Sequence, residues 1–206
     1  LPYAVAQEIY LDMIPAEGSY INAGIWTIRL EPVVTVTGQY YLYLPAGSGI
    51  GESTGFYRAT PQVTLTIPST AAKVITVGAY DPVYDTYADF SGRGYADSTR
   101  TIGVAAAGLT KPDLVAPGVN IQAPDVYGSF TPVTGTSFAT PIVSGAAALL
   151  MEWGIVRGND PFLYGEKVKA YLRKGARSLR GETEYPNDRV GYGKLCVAES
   201  LPNTIV

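Results

Sequence analysis

Gly135-Thr-Ser-Phe-Ala-Thr-Pro141 runs without a break into Ile142-Val-Ser-Gly-Ala-Ala-Ala-Leu-Leu-Met-Glu-Trp153, and the reading of the whole chain grows from these nineteen positions. From Ala139 to Trp153 the residues are small, apolar and almost uncharged, which predicts one buried helix. Thr134, Gly135 and Thr136 precede it as a turn. Pro141 falls near the helix start, where a missing backbone N–H costs nothing. Ser137 is thereby placed at or just before the first turn. The free N–H groups of that turn and the positive end of the helix dipole would stabilise an anion forming beside its hydroxyl. Two roles fit such a serine. It is either a helix N-cap, a common serine position, or a nucleophile.

A serine hydroxyl near neutral pH normally needs an adjacent imidazole to take its proton as it attacks. The chain has no histidine at all. On its own it has a candidate nucleophile and no base of the usual kind.

Three further segments stand in order around the serine motif. Val74-Ile-Thr-Val-Gly-Ala-Tyr-Asp81 is followed by Ala88-Asp-Phe-Ser-Gly-Arg-Gly94, then by Lys111-Pro-Asp-Leu-Val-Ala-Pro-Gly118, and after the helix comes Gly191-Tyr-Gly-Lys-Leu195. Together with Gly135–Pro141 they resemble the C-terminal half of a subtilisin-like serine protease, over roughly residues 70 to 202. The resemblance implies an α/β fold, the C-terminal half of a parallel-sheet catalytic domain. It implies Ser137 as the nucleophile that becomes acylated, with Gly135 and Thr136 supporting the oxyanion and the Ser137 N–H supplying part of its hole. It also implies a protein or peptide substrate and no required cofactor. The family's aspartate, histidine and oxyanion asparagine lie upstream of the Val74–Asp81 segment. Residues 1–73 contain no match: Asn22 and Asp12 sit in unrelated contexts, and neither is assigned to the site. The expected partner is therefore the polypeptide that carries those groups. A half-domain would also expose a sheet edge and an apolar face, so self-association is expected as well.

Upstream, residues 19–67 are a different material. Gly24–Glu31, Val33–Gly38, Gln39–Leu44 and Gln62–Ile67 are short runs rich in β-branched and aromatic residues, separated by Pro and Gly. They predict antiparallel β-structure. The change of pattern marks a domain boundary near Pro68–Thr70, giving residues 1–69 and 70–206 as two parts. A β-sandwich at this place resembles the jelly-roll insertion of some clostridial subtilases, including germination-associated spore proteases. That resemblance suggests an extracellular or spore-associated bacterial setting.

Composition narrows the remaining choices. With 206 residues, 47 % of them hydrophobic, the chain can bury one or two cores. The formal charge of −3 and 15 scattered basic residues give no reason to expect nucleic acid. The basic run at 166–175 reads as an amphipathic helix with a solvated face. The longest apolar run, Gly145–Met151, is far short of the roughly 20 residues of a membrane span, and no secretory signal opens the sequence. A single cysteine, Cys196, excludes an internal disulfide. Asp81, Asp85, Asp89, Asp97 and Asp113 are a candidate set of hard oxygen ligands for calcium, although their spacing matches no EF-hand. The glycine-rich stretch at 46–52 lacks the Gly-Lys-Ser/Thr ending of a phosphate loop. An esterase elbow is excluded because alanine, not glycine, stands two places after Ser137. Two other readings stay open: a pseudoprotease, and a binding scaffold in which residues 1–69 carry the function.

Overall fold

The computed structural model describes residues 9–18, 20–31, 33–34, 40–44, 54–94 and 110–202. Contacts divide the chain into two compact units, Leu1–Ala59 with Ile102–Val104, and Thr60–Thr101 with Ala105–Val206.

In the first unit the described residues form no strand. The segment 24–31 is fully described and belongs to no ladder; residues 35–39 and 45–53, on which part of the expected sandwich falls, lie outside the described residues. Ile25, Trp26, Val33 and Val34 are all strongly exposed. Alternating apolar residues become a strand only where a neighbouring strand takes the N–H and C=O groups and a second layer covers the apolar side. The described residues offer neither, so the sandwich expected here is not found.

The second unit is a mixed sheet with helices. β1 (Val77–Asp81) pairs in parallel with β3 (Leu114–Pro117), in the register Val77 to Leu114 through Tyr80 to Pro117, and antiparallel with β2 (Thr86–Tyr87). Val115 donates its N–H to Gly193 at 2.9 Å and accepts from Leu195 at 2.8 Å, so the Gly-Tyr-Gly-Lys-Leu segment continues the sheet beyond β3. β4 (Ile121–Pro124) and β5 (Phe130–Val133) form a separate hairpin. Its turn is held by Asp125, whose Oδ1 accepts from Tyr127 and Ser129 N–H.

α1 (Thr136–Met151) continues through a π-helical turn, Glu152–Val156, and α2 (Glu166–Lys174) and α3 (Val197–Ser200) follow. Ala139, Val143, Ala146, Leu150 and Gly154 are buried. Their spacing of four, three, four and four is one helical face. Small residues on it let the helix lie close to the sheet. The shared core joins Ala79, Leu114 and Ala116 of the sheet to that face and to Leu163, Val168 and Leu172. Each fully enclosed leucine contributes roughly 2 kcal/mol of burial. The opposite face of α1, with Thr140, Pro141, Ser144, Gly145, Ala148 and Leu149, is exposed. The helix expected from the sequence is present, starting three residues earlier than predicted and buried on one side only.

The unbroken helix Thr136–Val156 is 21 residues, long and apolar enough by length and composition to cross a membrane. The expectation from the Gly145–Met151 run undercounted it, because Ser144 and Thr140 interrupt apolarity without interrupting the helix. Their hydroxyls are absorbed by carbonyls one turn back, at 3.3 and 2.9 Å. A core helix passes the same test, and this one packs against β1 and β3.

Candidate active site

Ser137 is the second residue of α1, and it is exposed. The cap position is taken by Gly135, with φ 153° and ψ 158°, a backbone conformation that side chains disfavour. No side chain caps this helix. The N-cap alternative for Ser137 is thereby overturned: the serine is already inside the first turn, and its Oγ has no hydrogen-bond partner among the described residues. The Phe138 N–H is taken by the Gly135 carbonyl at 3.1 Å. The N–H groups of Thr136 and Ser137 precede the first intrahelical donors and remain available to an anion.

The turn before the serine is tied to the sheet by three bonds in series. Gly118 donates to the Tyr80 carbonyl at 3.0 Å, Gly135 donates to the Gly118 carbonyl at 2.8 Å, and Asn120 N–H donates to Thr134 Oγ1 at 3.0 Å. A Cβ on Gly118 would stand 2.6 Å from the Ala79 Cβ, so glycine is what lets the β3–β4 turn sit on β1. Thr136 is half-buried, and its carbonyl accepts from Thr140 Oγ1 at 2.9 Å. Gly135, Thr136 and Ser137 are thus brought together at the carboxyl ends of β1 and β3, on a rigid support.

The Lys-Pro-Asp segment does something the sequence did not disclose. Asp113 is fully enclosed, and its carboxylate is surrounded by three cations. Lys111 Nζ and Lys169 Nζ lie at 3.0 Å, and Arg173 donates from Nε at 2.8 Å and also from Nη2. Thr76 N–H adds a bond at 2.6 Å. The lysines also donate to carbonyls: Lys111 to Val74 at 2.8 Å, Lys169 to Ala72 at 2.7 Å and Val74 at 2.9 Å. Burial lowers the Lys111 pKa to about 8, against the opposing pull of Asp113. The Arg173 guanidinium lies 4.8 Å over the Tyr192 ring. The α2 face carrying Lys169 and Arg173 is therefore turned inward, not solvated as the basic run suggested. Helical period alone could not show this, because the carboxylate that draws the two side chains in lies over fifty residues upstream.

This cluster also bears on the expected calcium ligands, since it engages one of them. Asp113 is saturated by ammonium and guanidinium groups. Asp85 pairs with Lys194 at 2.6 Å, and Asp81 accepts the Val83 and Tyr84 N–H groups of its own turn. Asp97 lies outside the described residues. Among the described residues, no three acidic, cysteine or histidine side chains meet as a metal site. Two cavities, about 310 Å³ beside Arg177 and Glu199 and about 480 Å³ beside Phe162 and Tyr164, do not reach Ser137.

A mixed sheet, a core helix packed on it and an exposed serine in that helix's first turn are the elements this site is built from. Residues 48–193 match the model described as the subtilase family, and the chain belongs to that family of serine proteases. It is 33 % identical over 159 residues to the serine protease AprX of Bacillus subtilis, covering 68 % of this chain and 32 % of that protein. It is 32 % identical over 176 residues to the subtilisin-like protease SBT6.1 of Arabidopsis thaliana, covering 85 % of this chain and 15 % of that one. The structure of the Clostridium perfringens CspB protease superposes with a TM-score of 0.65 at 46 % identity, over 74 % of this chain and 30 % of that chain. The chain spans about a third or less of these relatives.

Proposed function

We propose that this chain contributes the nucleophile to a subtilisin-like endopeptidase acting on protein or peptide substrates, with Ser137 as the acylated residue. The observation that carries the reading is the placement of Ser137: exposed, its hydroxyl unpaired among the described residues, at the second position of a 16-residue helix whose entry is pinned to the sheet.

In the first step the Ser137 Oγ–H bond breaks, its proton passes to an imidazole, and Oγ bonds to the peptide carbonyl carbon. The negative charge that forms on the carbonyl oxygen is met by the Ser137 N–H and the helix dipole, with Gly135 and Thr136 shaping the turn. Collapse breaks the C–N bond, the amine leaves with the imidazole's proton, and water then cleaves the acyl ester. No cofactor enters these steps. The imidazole, its orienting aspartate and the oxyanion asparagine come from another polypeptide segment, since this sequence has no histidine. The exposed face of α1 is the surface we assign to that segment, and in its absence to self-association.

A serine-directed fluorophosphonate probe tests this. The chain is treated alone and after co-expression with the upstream coding sequence, with Ser137→Ala as control. Labelling of Ser137 in the joined form only supports the proposal. No labelling in either form favours the second reading, a pseudoprotease serving as a regulatory or binding scaffold.

A further inference from the structure

The side of the sheet away from α1 carries a second concentration of charge. Strand alternation sends Leu114 and Ala116 toward α1 and Val115 to the other side, where it packs with Tyr87, Leu179 and Val190. Two guanidinium groups lie over the Tyr87 ring: Arg189 with its Cζ 4.6 Å from the centroid, and Arg93 at 5.5 Å. Arg189 Nη1 has the Glu182 carboxylate at 3.2 Å. Arg93 has none. Its main chain is fixed by mutual bonds with Thr64, yet its guanidinium makes no ion pair or hydrogen bond among the described residues. The Nε atoms of both arginines are shut off from solvent without an acceptor. Among the described residues, two cations stacked on one ring share one carboxylate, which leaves the cluster a single negative charge short.

We propose that Arg93 is the anchor of an anion site on this face, and that its ligand is a side-chain carboxylate of an acidic partner polypeptide. The ring restrains the guanidinium plane, so little ordering is lost when a ligand binds. The fork of an arginine matches a carboxylate in two parallel bonds. A carboxylate fits better than a phosphate because the deficit among the described residues is one charge, and because Arg189, the other half of the cluster, is already satisfied by a carboxylate. The surface lies across the sheet from α1, so an occupant would not compete with acylation at Ser137.

The burial of the two Nε–H groups supplies the readout, since shielded arginine side-chain N–H signals persist in a ¹⁵N–¹H correlation spectrum. The chain is titrated with acetyl-Glu-Glu-Glu-amide, with its glutamine counterpart, and separately with inorganic phosphate. The expected result is saturable movement of the Arg93 and Arg189 Nε–H signals with the glutamate peptide, none with the glutamine peptide, and weaker binding of phosphate. Arg93→Gln should weaken the glutamate peptide about tenfold or more, the loss of a charge-assisted pair, at an unchanged thermal midpoint. Arg93→Lys, which keeps the charge without the fork, should fall between. Unmoved signals in the unsubstituted chain overturn the proposal whatever the variants do. So do equal shifts with the glutamine peptide, tighter binding of phosphate than of the glutamate peptide, or an Arg93→Lys chain that binds as well as the parent.

Discussion

Replacing Asp113 by asparagine keeps the shape of the side chain and removes its charge, which isolates the electrostatics of the buried cluster from packing. The carboxylate is fully enclosed and holds Lys111, Lys169 and Arg173 within 3.0 Å. After substitution three cations remain in the interior with only carbonyls and a hydroxyl to face. Breaking a buried ion pair on one side typically costs about 3–5 kcal/mol, because the surviving charge stays desolvated. The stability of a domain is only about 5–15 kcal/mol, so the change should consume a large part of it. With a urea slope of about 2 kcal/mol/M the midpoint should fall by roughly 2 M. Urea unfolding at pH 7, followed by circular dichroism, measures this directly. Asp89→Asn, at an exposed carboxylate, serves as control and should move the midpoint by no more than about 0.3 M. If Asp113→Asn behaves like the control, the cluster does not hold β1, β3 and α2 together as derived.

Four other outcomes are expected. Lys111 gives up its proton near pH 8 when folded but near 10.5 when unfolded; the unfolded chain then binds more protons in that window, so stability should rise with pH from about 8 to 10.5. The rise is at most on the order of 3 kcal/mol, and Lys111→Met should abolish this slope in urea melts taken across the window. A Cβ on Gly191, at φ 56°, would lie 2.2 Å from the Pro112 carbonyl oxygen, so Gly191→Ala should destabilise the chain by about 3 kcal/mol or more. Gly145→Ala, in open space on α1, should instead stabilise it by about 0.5–1 kcal/mol. Ser137→Ala should leave the unfolding free energy unchanged within about 0.3 kcal/mol, where loss of a true N-cap would cost about 1 kcal/mol, while abolishing probe labelling of the joined form.

The serine motif, its helix and the sheet were legible because each is local. Gly135, the small residues of α1 and the apolar runs at 74–81 and 114–117 state their conformations within a few positions. The family followed from the order of those segments. What the sequence could not state was the destination of long polar side chains. Lys169 and Arg173 read as a solvated helical face, and became interior groups because the fold carries the Asp113 carboxylate to within 3.0 Å of them. The same cause removed Asp113 from the calcium ligands. In the opposite direction, the alternation over residues 24–44 promised strands that the described residues do not form, since a strand is completed by a neighbour and not by its own pattern. The amino-acid sequence by itself determined the α/β character, the family and the identity of the one candidate nucleophile. Only the tertiary structure determined that Ser137 is exposed in the first turn, that one face of its helix is exposed, and which charges are paired, because those depend on distances between residues tens of positions apart.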